Sequence, residues 1–278
     1  MRAVQHFRVI VLLLQGLLMG ASVCRAGDTP PACGPYSLAF YELGVLFQRE
    51  PDGHYSGIDK DVVDELARRS TCKFDTVIES RARIWSRLAK QTLDISVSGI
   101  ATPERERFAE FMPYFQTRNF ALMRRELAAE LPSMEAFLAD GRRLVAVVKS
   151  FKHGPSYDSF LAQLRAEKRV VEMADFEGVV KVWRAGRADL ILVLPTSWAA
   201  MLRRDPTLEQ GTLLDWAAQD RIPHGLIVSR SNVSDADKQR LRQAMLSMLA
   251  DGSVDTILRR HLGEALARSV RLEPASGH

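Results

Sequence analysis

Apolar and polar positions along this chain alternate between two periods. Residues 36–42 (YSLAFYE), 72–79 (CKFDTVIE) and 93–97 (LDISV) carry the period-two or continuous apolar patterning of strands. Between the first two, residues 59–70 (DKDVVDELARRS) place Val62, Val63, Leu66 and Ala67 on one face of a helix that Asp59 or Asp61 would cap. Thr102, Pro103 and Glu104 form a helix-start signal, so a helix is expected from Thr102 with Arg105 in its first turn. An extended stretch, RNFALMRR, follows from Arg118. A second series then opens: strand RRLVAVVKS, helix SYDSFLAQLRAE, strand KRVVEM, helix FEGVVKVWRAG and strand ADLILVL. IPHGLIVSR is extended again, and the chain finishes in helices over DADKQRLRQAMLSMLADG and SVDTILRRHLG. Strands and helices in alternation predict an α/β protein with layered, largely parallel sheets. No repeat at a solenoid period and no low-complexity linker interrupts the pattern.

The first 26 residues stand apart. Arg2 and Arg8 bracket a basic start, VIVLLLQGLLMGA is an apolar run short for a bilayer, and CRA before Gly27 suits cleavage after Ala26. An exported, periplasmic protein with residues 1–26 as a cleaved signal peptide is therefore expected. Composition changes meaning with it. The chain holds 38 Lys+Arg against 34 Asp+Glu, but Arg2, Arg8 and Arg25 fall in the signal, leaving 35 against 34. A nearly neutral mature chain carries no nucleic-acid footprint.

Cys33 and Cys72 survive cleavage, and a pair in an oxidising compartment reads as a disulfide. They sit just before the first strand and at the start of the second. In a strand–helix–strand unit the two strands lie parallel and adjacent, which brings both cysteines to the same edge. Two cysteines alone make a poor metal site, and the histidines, among them His54, His153 and His224, are scattered without metal spacing. Neither a metal nor a cofactor is expected.

Four segments in order, DGHYSGIDKDVVDELARR, LDISVSGIATPERERFAEFMPYF, GVVKVWRAGRADLILV and PHGLIVSRSN…LADGSVDTILRRHLG, resemble the extracellular solute-binding protein family 3, the polar amino-acid periplasmic binding proteins of ABC importers. The resemblance covers essentially all of the mature chain. It implies a two-lobed type II periplasmic binding fold, each lobe a mostly parallel sheet flanked by helices, joined by two crossover strands matched here by RNFALMRR and IPHGLIVSR. Lobe one would take residues 27–120 and 225–278, and lobe two 121–224. It also implies a monomer that delivers a carboxylate-bearing small molecule to an inner-membrane ABC permease. In the family, the arginine of the T-x-x-R step clamps the ligand's carboxylate; here that residue is Arg105, at the carboxyl end of a strand where such sheets bind ligands.

Other positions follow by matching. Gly99 would admit close backbone approach, Thr102 would give a hydroxyl, and Ser98 would compensate for a glycine-to-arginine spacing one residue shorter than usual. Glu42 at the end of the first strand would face the ligand's side chain. Arg81, 13 residues before Asp94, would favour an anionic group. Ser150 alone keeps a hydroxyl where the family has a glycine–threonine step, here Lys149-Ser150-Phe151. Leu194 replaces the aspartate that usually receives an α-ammonium group, so an amino acid held in the standard way is not expected. The same fold also hosts cyclohexadienyl or arogenate dehydratases and ligand-sensing proteins. An enzyme would need a positioned acid and base, for which only Glu42 and His153 are loose candidates; a binding protein is the expectation.

Overall fold

The structure, a computed structural model, describes residues 32–204 and 210–272. The expected signal peptide lies outside these residues. Among them no helix is long and apolar enough to cross a membrane.

Strand β1 (Tyr36–Phe40) leads through a 3₁₀ turn (Gly44–Leu46) and a short hairpin, β2 (Gln48–Arg49) and β3 (Tyr55–Ser56), into helix α1 (Ile58–Ser70). Strand β4 (Phe74–Ile78), helix α2 (Arg81–Ala89) and strand β5 (Ile95–Gly99) complete the first unit. β1 pairs in parallel with both β4 and β5. As the strand–helix–strand geometry requires, Cys33 and Cys72 meet in a disulfide with Cα atoms 4.4 Å apart. Helix α1 buries Val62, Val63 and Leu66, but neither predicted aspartate caps it. Gly57 holds the N-cap position, and Asp59 turns inward, buried.

The helix expected from Thr102 is a correction. Only Arg105–Arg107 forms a 3₁₀ turn, and Ala109–Thr117 is a nine-residue strand, β6. Phe108, Phe111, Met112 and Phe115 imitate helical spacing, while Pro113 argues against a helix interior. In the strand, Pro113 sits opposite Gly225, beside a register shift, where its missing N–H is tolerated.

The chain then enters a second sheet at β7 (Phe120–Arg124). Helices α3 (Arg125–Glu130) and α4 (Met134–Asp140), strand β8 (Val145–Val148), helix α5 (Pro155–Ala166), strand β9 (Val170–Met173), helix α6 (Phe176–Arg184), strand β10 (Leu190–Val193), helix α7 (Pro195–Arg204) and strand β11 (Gly211–Leu214) follow. Strand β12 (Ile222–Ser229) returns to the first sheet, and helices α8 (Asp235–Ala250), α9 (Ser253–Leu262) and α10 (Glu264–Val270) close the described chain. The first sheet runs β4-β1-β5-β12-β6 and the second β11-β7-β10-β8-β9. In the first, β12 lies antiparallel between β5 and β6; in the second, β8, β9 and β10 are parallel, β7 runs against them, and the edge strand β11 pairs antiparallel with β7.

Two links join the sheets, residues 118–119 outward and 215–221 on the return. Arg118 grips Asp215 across them with Nε at 3.0 Å from Oδ1 and Nη2 at 2.7 Å from Oδ2. A two-pronged pair of this kind fixes geometry as well as charge. One apolar cluster runs from the first sheet through Leu43, Leu46 and Trp198 to Leu194 and Val179 of the second. A separate one, around Phe137, Tyr157, Phe160 and Leu161, fills the far face of the second sheet. The sheets therefore face one another across an apolar seam, and the polar site lies beside it.

Candidate functional site

The turn after β5 presents Arg105. Thr102 Oγ1 accepts the Arg105 backbone N–H at 3.3 Å, and the Thr102 carbonyl accepts the Glu106 N–H at 2.9 Å. Thr102 thus organises the turn that carries the arginine. The guanidinium is buried, 3.6 Å over the Trp85 ring. Its Nη1 donates to the Ile100 carbonyl at 2.9 Å, and its Nη2 donates across to the Ser150 carbonyl, after β8, at 3.0 Å. Arg105 therefore touches both halves of the molecule. Among the described residues no carboxylate pairs with it. Burial lowers its pKa to about 9, Arg81 adding a like-charge push. It still carries its proton at neutral pH.

Arg81 opens α2 and is buried as well. Nη1 donates to the Val97 carbonyl at 3.1 Å, and the guanidinium lies 4.6 Å from the Tyr41 ring and 5.8 Å from that of Phe151. Its Nε has no partner among the described residues. Burial lowers this pKa too, against opposing attraction from Tyr41, Asp59 and Tyr114. Arg81, Trp85, Ser98, Ile100, Arg105, Phe151 and Lys152 line one small cavity.

Ser98 lies in the left-handed region at φ +50°. Its hydroxyl faces Asp59 at 2.7 and 2.8 Å from the two carboxylate oxygens, so its proton is committed there. Tyr114 donates to Asp59 Oδ1 at 2.6 Å and accepts the Ser98 N–H at 3.0 Å. Asp59 and Tyr114 are site-forming residues that sequence patterning passes over, because each occupies a position its element spends on the core. Burial pushes the Asp59 carboxyl up to about 6, although Tyr114, Ser98 and Arg81 all pull it down.

Gly99 has a packing reason of its own. A Cβ there would lie 2.2 Å from Ile227 Cγ1 and 3.1 Å from the Phe111 ring. Gly99→Ala is expected to destabilise the ligand-free protein by about 1–3 kcal/mol, because a crowded core has to shift. Chemical denaturation measures it; an unchanged midpoint would refute the packing role. Glu42 lies past the end of β1 and is exposed. Ser150 is exposed too, at φ +64°, and contributes its carbonyl to Arg105. That left-handed turn is unusual for a side-chain-bearing residue, and the next residue, Phe151, lines the cavity.

Phe151 also lines a second, narrow crevice with Leu43, Val148, Phe176, Val179, Leu192 and Leu194, interrupted only by Asn119, His153 and Ser197. Asn119 Nδ2 donates to the His153 carbonyl at 3.1 Å, which leaves Asn119 Oδ1 to accept the His153 Nδ1 proton at 3.1 Å. His153 Nε2 is then a bare acceptor, without a partner among the described residues. His224, buried and stacked on Phe115 at 4.7 Å, has no partner within hydrogen-bond geometry at either ring nitrogen among the described residues.

Burial lowers the pKa of both histidines to about 3. Both are neutral in the fold and charge first in the unfolded chain, so the stability they contribute is present above about pH 6.5 and is lost as pH falls towards 3. Asp59 acts oppositely: its raised pKa favours the fold below about pH 4, an advantage lost as pH rises through 6. Two histidines against one carboxylate leave a net loss of about 1.4 kcal/mol per pH unit on going from 6 to 4. Melting temperature should fall over that interval, and His224→Phe should flatten the slope. A flat wild-type profile would count against neutral buried histidines.

Two facing sheets joined by two links, with a buried guanidinium reaching from one to the other, define a solute-binding protein of the type II periplasmic binding fold. The chain belongs to the bacterial extracellular solute-binding proteins, family 3, whose family model matches residues 45–264. No curated protein sequence matches it. Among solved structures, an ancestral arginine-binding protein bound to glutamine is 18% identical with a TM-score of 0.70, the match covering 82% of this chain and 98% of the other. The arginine-, lysine-, histidine-binding protein ArtJ from Geobacillus stearothermophilus is 15% identical at a TM-score of 0.69, covering 85% and 99%. An ABC uptake transporter substrate-binding protein from Streptococcus pneumoniae with bound histidine is 16% identical at a TM-score of 0.69, covering 86% and 94%. At these identities the likeness is one of fold.

Proposed function

We propose that this is an exported periplasmic protein that captures a small carboxylate-bearing ligand between its two lobes and delivers it to an inner-membrane ABC permease. Lobe one would comprise 27–120 and 225–278, lobe two 121–224. The observation that carries the reading is Arg105: a buried cation whose hydrogen-bond acceptors among the described residues are two neutral carbonyls, one from each side. A carboxylate replacing the Ser150 carbonyl would neutralise that charge through a two-pronged contact. Arg81 adds a second positive group. The amino-acid ligands of the three fold relatives support the size of the ligand, and family membership supports export and the importer.

The α-ammonium group is where this chain departs. Leu194 is buried and apolar at the position the family resemblance assigns to the ammonium-binding aspartate; Glu42 is exposed, and the Asp59 carboxylate is held by Ser98 and Tyr114. The ligand is accordingly an organic acid without that group. A catalytic role has no support from Glu42, exposed, or His153, held by Asn119 in an apolar wall.

A thermal-shift screen of amino acids, dicarboxylates and related acids tests the reading, since binding to the folded state raises the melting temperature. Calorimetry on matched pairs such as glutamate and glutarate then isolates the amino group. Preference for the amino-bearing member, undiminished in Glu42→Gln, would contradict the argument from Leu194.

A further inference from the structure

The two cavities share one wall, Phe151, and differ in every chemical respect. One holds two guanidinium groups and Lys152. The other is built from Leu43, Val148, Phe176, Val179, Leu192 and Leu194, with no ionised side chain in its lining. We propose that the ligand is an amphipathic carboxylic acid: its carboxylate meets Arg105, and its uncharged hydrocarbon or aryl body fills the apolar chamber beside Leu194 once Phe151 turns aside. This deepens the carboxylate reading and rests on it.

Three observations converge. Phe151 follows Ser150, whose left-handed backbone at φ +64° sends the chain back towards the cleft, and the Ser150 carbonyl holds Arg105. The residue that closes the carboxylate compartment and the one that closes the apolar chamber are thus neighbours on one turn, and a single ligand can displace both. Next, the polar atoms of the chamber are neutral. His153 Nε2 and Ser197 Oγ lack partners among the described residues, and His153, with its pKa lowered by burial, carries no charge at neutral pH. They can satisfy a hydroxyl or amide on the ligand body, but they carry no negative charge to offset that of an ammonium group. Lastly, the chamber walls are buried side chains except for the half-buried Phe151 and Phe176, so each methylene of the ligand that enters leaves water. That is worth roughly fourfold in affinity per CH₂.

Calorimetry with four probes, 3-phenylpropanoate, L-phenylalanine, propanoate and glutarate, tests the proposal on the wild-type protein and on Arg105→Ala and Leu194→Asp. Expected is 3-phenylpropanoate binding more than about tenfold tighter than propanoate or glutarate, and about a hundredfold tighter than L-phenylalanine. In Leu194→Asp the preference over L-phenylalanine should shrink at least tenfold. If propanoate or glutarate binds as tightly as 3-phenylpropanoate, and Arg105→Ala weakens it, the apolar body is wrong and the carboxylate reading stands. If no probe binds, or Arg105→Ala leaves binding unchanged, the carboxylate reading falls and takes this proposal with it.

Discussion

Arg105→Ala should weaken capture of a carboxylate ligand by about 2–5 kcal/mol, some thirtyfold to several thousandfold in dissociation constant. The size follows from where the guanidinium lies. It is 7% exposed, stacked on Trp85, and offered only carbonyl oxygens among the described residues. A ligand carboxylate there meets a desolvated fork of donors rather than a hydrated surface charge. The melting temperature without ligand should move little, because losing two hydrogen bonds is offset by removing a buried unpaired cation. Arg105→Lys keeps the charge and loses the fork, so it should recover only part of the affinity. Titration of the two variants by calorimetry decides the matter: equal affinity in wild type and Arg105→Ala would return this side chain to a purely structural role.

Removing the Cys33–Cys72 bridge should cost about 4 kcal/mol of stability, the chain-entropy value for the 39-residue separation it closes. For a domain of this size that corresponds to a drop of about 8–16 °C in melting temperature. The bridge extends the β1–β4 ladder: the Lys73 N–H donates to the Cys33 carbonyl at 3.0 Å, and the Tyr36 N–H donates to the Lys73 carbonyl at 2.9 Å. Both cysteines are buried, so the exported protein should resist alkylation without a reductant and show the mass of the oxidised form. The double variant Cys33→Ser, Cys72→Ser measures the cost; an unchanged melting temperature would show that the ladder holds without the covalent tie.

Much of the architecture was legible because parallel strand–helix–strand units repeat one pattern. The continuous apolar runs at 145–148 and 190–193 could only be buried strands, and the disulfide follows from adjacency of parallel strands. The segment 108–115 misled because one apolar set satisfied two periods, and only Pro113 distinguished them. Within the site, Arg105 and Arg81 were visible as charges near strand and helix ends. Asp59 was hidden inside a helix-start signal, where an aspartate is ordinarily a surface cap. Ser98 was visible as a hydroxyl, but its commitment to Asp59 and Tyr114 depends on contacts 39 and 16 residues away in sequence. Phe151 stood out only as a departure at the first loop of the second half; its place between two cavities is a tertiary fact. Side-chain partners set by long-range packing leave no periodic trace.

The pairing of β6 with β12 bears on how the chain acquires its shape. These neighbours are separated in sequence by the whole of the second sheet, about a hundred residues, and closing such a span as open coil carries a large entropic penalty. If the inner half condenses first, its ends at 118–119 and 215–221 are already drawn together by Arg118 and Asp215, and the effective span shrinks to two short links. The first sheet should therefore be completed last, strand β12 arriving between β5 and β6 only after β7 and β10 are paired. Pulse-labelled hydrogen exchange during refolding should show amides of β10 protected before those of β12, and simultaneous protection would mean the two halves condense as one.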